Sequence, residues 1–213
     1  MPLFLRHRVM FLHIPKCGGD TLSGCLEAAG DRPFLHVPDG RVMVNGHTPQ
    51  HLTWRELGRM GWTTPPDYRV VTLVRHPVDR VLSAYRYAKV YRRDLAAYTK
   101  SPGEFLTHFF SEDAEVFGRF DQHNVGILDF LKDENGKVAE DIEVWPLVRM
   151  DDLLVSLGLP PVARGARKNV TTSAERFTPL ELWEIRDRFQ EDIVWFEARF
   201  PDIRETPQHP GST

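Results

Sequence analysis

The chain alternates between two hydrophobic periods. Val9–Ile14 (VMFLHI) and Arg69–Val74 (RVVTLV) are near-continuous apolar runs of strand length. Runs of that kind suit strands buried on both faces of a parallel sheet, and the second is rich in β-branched residues. Near the C-terminus, Leu182, Ile185, Phe189, Ile193, Phe196 and Phe200 recur at steps of 3, 4, 4, 3 and 4. That spacing predicts one long helix with a core-facing side, opened by the capping box Thr178-Pro-Leu-Glu181. Between these landmarks the pattern predicts a helix from Thr21 to about Ala29, closed by Gly30. A weak strand is expected at Val42–Val44. Thr48 as cap and Pro49 as first helical residue predict a helix to about Met60. A further helix is expected from Pro77 to about Arg93, and another after the capping box Ser101–Glu104. Residues 132–143 read as a solvated connection. Then come a strand near Val144–Val148, which Pro146 makes an edge strand or an irregular one, and a short helix near Asp151–Leu157. Strand, loop and helix alternate, so the fold class expected is α/β, a central parallel sheet flanked by helices. Residues 1–200 read as a single domain and 201–213 as a polar tail.

Composition narrows the function without naming it. The 213 residues carry 27 Lys and Arg against 30 Asp and Glu, a net charge of −3. No global basic field exists to draw in nucleic acid, so an anion site must be local. Apolar residues make up 41%, which suits a packed core rather than a disordered chain. No run of 18 apolar residues predicts a membrane span, and Met1–Arg8 has no signal-peptide character. With two cysteines, Cys17 and Cys25, a disulfide framework is not expected and a cytoplasmic setting is.

The local anion site is legible in Pro15-Lys16-Cys17-Gly18-Gly19-Asp20-Thr21, set between a strand and a helix. Paired glycines allow a tight turn and close backbone approach to a ligand. The helix start directs N–H groups and a partial positive charge at that ligand. Lys16 adds a full charge and Thr21 a hydroxyl. In Mg-nucleotide loops the lysine follows the last glycine; here it precedes both, which argues against triphosphate chemistry. A second basic segment follows the strand Arg69–Val74. Arg75 stands at its C-terminal end, where open α/β sheets bind ligands, and Ser83 lies eight residues on. Residues 75–93 hold six basic side chains and one acid, Asp79. Of these, Arg86, Lys89 and Arg93 are expected on a solvated helix face.

His13-Ile-Pro-Lys-Cys-Gly-Gly-Asp-Thr-Leu22 resembles the 5′-phosphosulfate loop of the PAPS-dependent sulfotransferases (PAPS is 3′-phosphoadenosine-5′-phosphosulfate). The nearest branch is that of the carbohydrate 2-O-sulfotransferases and their small bacterial relatives. Val74–Tyr85 is similar to that family's 3′-phosphate motif, Asn45-Gly-His47 to its Gly-His element, and Lys168-Asn169 before Thr171-Thr-Ser173 to its C-terminal pattern. The resemblance implies a P-loop-type three-layer sandwich and transfer of a sulfuryl group from PAPS to an acceptor hydroxyl. It implies Lys16, Cys17, Gly18, Gly19, Asp20, Thr21 and Leu22 at the 5′-phosphosulfate, Arg75 and Ser83 at the 3′-phosphate, and Lys168 as a further donor contact. Lys16 would stabilise the leaving phosphate and His47 act as base, with His13, His36 and His51 as alternatives among nine histidines. Cys17 and Asp20 depart from the family pattern, which favours threonine or small hydroxyl residues there. A carboxylate at Asp20 repels an anionic donor unless it turns away as a cap.

Other chemistries fit less well. His47 and His51 are spaced like a metal pair but lack a third ligand, so no metal is expected. Cys17 as nucleophile lacks a partnered base. The competing functions are a P-loop kinase-like phosphotransferase and a nucleotide-binding module without catalysis. The expected partner is a hydroxyl-bearing acceptor, a glycan, glycolipid or small metabolite. Tyr85, Tyr87, Tyr91, Tyr98, Trp54 and Trp62 are candidate stacking surfaces for it, though most aromatics of this kind serve the core.

Overall fold

The computed structural model describes residues 2–34, 43–44, 47–162 and 175–205. The chain divides into two compact units, Met1–Val74 with Ile127–Lys168, and Arg75–Gly126 with Asn169–Thr213.

The first unit is built on a five-stranded sheet in the order β3-β1-β2-β4-β5. Its strands are β1 (Leu3–Phe4), β2 (Val9–Leu12), β3 (Pro33–Phe34), β4 (Arg69–Val74) and β5 (Ile142–Pro146). β2 and β4 run parallel, Val9 facing Arg69 and Leu12 facing Thr72, and β5 runs parallel on the far side of β4. The Thr72 hydroxyl donates to the Leu12 carbonyl at 2.8 Å, a further tie between the two inner strands. The apolar runs read from the sequence are therefore the buried centre of the sheet. The central strands β2, β4 and β5 are parallel as expected, and β1, which pairs antiparallel with both β2 and β3, extends them into a mixed sheet. Two-residue strands are too short to show a period of two, so the sequence pattern misses them.

Arg69 joins β4 to β5 with a two-pronged ion pair to Glu143, at 2.7 and 2.6 Å, and reaches the Ser156 carbonyl at 2.9 Å. Helix α1 (Gly19–Ala28) begins two residues before the expected start. Its end is closed as expected by Gly30, at φ +83°. The Gly30 and Asp31 amides donate to the Glu27 and Leu26 carbonyls, a Schellman arrangement.

Three further expectations are corrected in this unit. Val44 forms only an isolated bridge with His47 rather than part of a strand, and Val42 lies outside the described residues. The helix expected from Thr48 is a single 3-10 turn, Pro49–His51. A second start follows at α2 (Trp54–Arg59), because Thr53 and Glu56 form a complete capping box that competes with the first. The connection 132–143 gives up Ile142 and Glu143 to β5. Its remainder turns tightly where Asp133 Oδ1 accepts the Asn135 and Lys137 amides. Helices α6 (Ile127–Leu131) and α7 (Met150–Ser156) complete the unit.

The second unit is helical: α3 (Pro77–Tyr91), α4 (Pro102–Phe109), α5 (Ala114–Gly118), α8 (Pro179–Arg188) and α9 (Gln190–Arg199). Its core gathers Tyr85, Phe105, Phe109, Phe120, Phe177, Leu182 and Ile185. The single C-terminal helix expected is two, broken at Phe189 (φ −110°, ψ 30°). The amide of Ile193 still donates to the Phe189 carbonyl, so the apolar face runs through the break. Both halves of the capping box at Thr178 form, whereas at Ser101 only the Glu104 amide bond to the hydroxyl does. Among the described residues, no helix is long and apolar enough to cross a membrane.

Candidate active site

The loop between β2 and α1 gathers the first set of candidates. Its path is set by two residues in left-handed backbone, Lys16 at φ +65° and Gly18 at φ +88°. Gly18 is the N-cap of α1, and its carbonyl accepts the Thr21 and Leu22 amides at 3.0 and 3.1 Å. Those two amides, expected to face an anion, are thus committed to the helix. The condition that Asp20 turn away as a cap is not met: the cap is Gly18, and Asp20 sits half-buried inside the first turn. Cys17 is fully buried, Thr21 and Leu22 are buried, and Lys16 is half-buried.

Both glycines are needed for packing as well as for the turn. A Cβ on Gly18 would stand 2.5 Å from Leu147 Cδ1 and 2.8 Å from Met150 Cε. A Cβ on Gly19 would fall on the His13 imidazole. That ring is fixed from the other side by stacking on Phe11, centroids 5.1 Å apart. His13 in turn meets His51, centroids 4.8 Å apart, and His51 Nδ1 donates to the His13 carbonyl at 3.1 Å. His51 Nε2 lies 3.4 Å from the Gln50 side-chain nitrogen, which donates to it. Both ring nitrogens of His51 therefore serve structure, a poor condition for a base. The chain of contacts from Gly19 through His13 to His51 fastens the 3-10 turn that follows His47 to the loop.

His47 is buried, 5% exposed. Its Nε2 lies 3.3 Å from Glu56 Oε1. The other carboxylate oxygen accepts from the Thr53 amide at 2.8 Å and its hydroxyl at 2.9 Å. Burial by itself would raise the Glu56 pKa. The hydrogen bonds from His47 and Thr53 outweigh it and hold the carboxyl down at about 2. Glu56 did not stand out in the sequence reading, although Thr53-x-x-Glu56 spells a capping box.

The second set belongs to the helical unit. Arg75 and Ser83 are half-buried, Arg75 two residues before α3 and Ser83 within it. The basic run around them is largely occupied by structure. Arg80 is 1% exposed and donates to the Val125 and His123 carbonyls at 2.7 and 3.1 Å. Lys89 pairs with Glu175 at 2.5 Å and Arg92 with Asp94 at 2.7 Å. Lys89 and Arg93 are exposed as expected. Arg86 is corrected from solvated to half-buried: its guanidinium reaches the Glu175 carbonyl, and its pKa is lowered by burial, then by Arg176 and Arg75. Of the aromatic candidates, Tyr85 is core. Lys168, Asn169, residues 171–173, His36, Asn45 and Gly46 lie outside the described residues. Among the described residues, no group of three or more His, Cys, Asp or Glu is arranged to hold a metal ion.

Comparison with curated proteins and with solved structures finds no match. A model of one protein family does match, over residues 4–123, more than half of the chain and inclusive of both glycine-loop and arginine-serine segments. Its description is the sulfotransferase family, and this chain is a member of that family.

Proposed function

We propose that the protein transfers the sulfuryl group of PAPS to a hydroxyl of a carbohydrate or small-molecule acceptor. On this reading it is a carbohydrate 2-O-sulfotransferase-like enzyme of the P-loop type, residues 1–200 working as one catalytic domain. The observation that carries the proposal is the left-handed Gly18 cap, which opens α1 directly after β2 within the segment matched by the family. Gly18 and Gly19 hold the 5′-phosphosulfate with backbone amides, with Cys17, Asp20 and Leu22 shaping the loop and Thr21 adding its hydroxyl. Arg75 and Ser83 hold the 3′-phosphate, and Lys168 is a further donor ligand.

His47 takes the proton of the acceptor hydroxyl. The acceptor oxygen then forms its bond to sulfur while the bond from sulfur to the bridging phosphate oxygen breaks. The electron pair leaves with adenosine 3′,5′-bisphosphate, and Lys16 meets the charge that develops on that oxygen. A donor aimed at developing charge is worth about 10²–10³ in rate, and a positioned base roughly 10²–10⁴.

Thermal unfolding with adenosine 3′,5′-bisphosphate and with ADP tests the reading. At 100 times its Kd a ligand adds about 2.7 kcal/mol of stability. The expected result is selective stabilisation by the 3′-phosphorylated nucleotide, abolished in Arg75→Ala. An equal response to the two nucleotides overturns the proposal in favour of a kinase-like or nucleotide-binding role.

A further inference from the structure

We infer that Glu56 is a positioning residue for His47, fixing the tautomer in which the imidazole takes up the acceptor's proton; this rests on the reading of His47 as base. Three observations meet at one carboxylate. Oε1 faces His47 Nε2 at 3.3 Å, and both side chains are largely buried, 6% and 18% exposed. Oε2 is held by two bonds from Thr53, at 2.8 and 2.9 Å, so the carboxylate is anchored independently of the histidine. The two oxygens have separate tasks, one fastening α2 and one facing the ring.

An ionised carboxylate can only accept. Nε2 must therefore carry the hydrogen, which in the neutral ring places the lone pair on Nδ1. The proton from the acceptor hydroxyl then goes to Nδ1, leaving an imidazolium whose Nε2–H still points at a negative oxygen. Glu56 both orients the ring and balances the charge it acquires. The Glu56 carboxyl stays ionised to about pH 2, so the partner remains an anion wherever the histidine can act. His51 shows the opposite arrangement: its Nδ1 donates to a carbonyl, leaving Nε2 as the accepting atom. Two histidines four residues apart are thereby set in opposite tautomers by their partners.

The test is spectroscopic and uses the full chain. Nitrogen-15 imidazole spectra, with His47 assigned by His47→Ala, report which ring nitrogen carries hydrogen. The native protein is expected to show His47 as the Nε2–H tautomer. Glu56→Gln turns its single oxygen to the Thr53 donors and presents its NH2 to Nε2, so it should switch His47 to the Nδ1–H form, whereas Glu56→Ala should release it into a tautomer mixture. Thr53→Ala removes the helix cap but leaves the Glu56 carboxylate, and should keep the tautomer, which separates positioning from simple loss of structure. Reciprocally, carbon-13 spectra at pH 4 should show Glu56 ionised in the native chain and partly protonated in His47→Ala. Transfer of labelled sulfate from PAPS to a pool of oligosaccharide and small-alcohol acceptors should fall about 10- to 100-fold in Glu56→Ala, as for removal of other orienting partners. A His47 tautomer that is Nδ1–H in the native protein, or unchanged in Glu56→Ala, overturns the role of Glu56 while leaving the base intact. Native turnover in His47→Ala overturns the base itself, and the assignment of Glu56 with it.

Discussion

Lys16 holds a left-handed backbone at φ +65°, a conformation that costs a residue with a side chain about 1–2 kcal/mol and a glycine almost nothing. A lysine kept where glycine folds more easily points to use of its ammonium. Lys16→Gly should therefore unfold at an unchanged or slightly higher denaturant concentration, while sulfate transfer falls by about 10²–10³. The second residue-scale consequence concerns acid. Glu56 has its carboxyl lowered from 4.5 to about 2 in the folded chain by His47 and Thr53. A depressed carboxylate contributes stability above the unfolded value that is lost as pH falls through the folded one. Urea unfolding of the native chain should weaken between pH 4.5 and 2, and Glu56→Gln should flatten that part of the curve. The loop residues Lys16, Gly18, Gly19 and Thr21 were legible because their chemistry is contiguous in sequence. Glu56 was not, because Thr48-Pro49 offers a helix start that masks the capping box at Thr53, and because its meeting with His47 depends on how the turn between them folds.

At the scale of elements, the start of α1 is the most demanding junction. The Gly18 clash is with the flexible ends of Leu147 and Met150, which can move aside, although the left-handed backbone still penalises a side chain. The Gly19 clash is with a buried ring clamped between Phe11 and His51, which cannot. Gly19→Ala should therefore push the loop itself out of place and abolish binding of adenosine 3′,5′-bisphosphate, read by calorimetric titration. Gly18→Ala should weaken it less. The long apolar strands, the Gly30 stop and the box at Thr178 were all visible in the pattern. The break at Phe189 was not, since neither proline nor glycine marks it and the apolar face continues across it. β1 and β3 escaped for a different reason: at two residues each, pairing rather than periodicity defines them.

At the scale of the whole molecule, the helical unit depends on aromatic packing. Phe105 is fully buried and meets Tyr85, Phe109 and Phe120 with centroids 5.3, 4.7 and 5.7 Å away. Phe105→Ala should lower unfolding free energy by about 3–5 kcal/mol in chemical denaturation, the usual cost of emptying such a site. The basic run of residues 75–93 also reads differently at this scale. Lys89 and Arg92 are paired with carboxylates, which offsets two of the six cations, and buried Arg80 is turned to backbone carbonyls. The sheet, as described, carries a proline in each of its two outer strands, Pro33 in β3 and Pro146 in β5. A proline nitrogen has no hydrogen to offer a neighbour, and interrupted margins recruit foreign strands poorly. Crowded folded copies of this protein should thus be slow to join edge to edge into fibrils, a safeguard written into its borders rather than its catalytic loop.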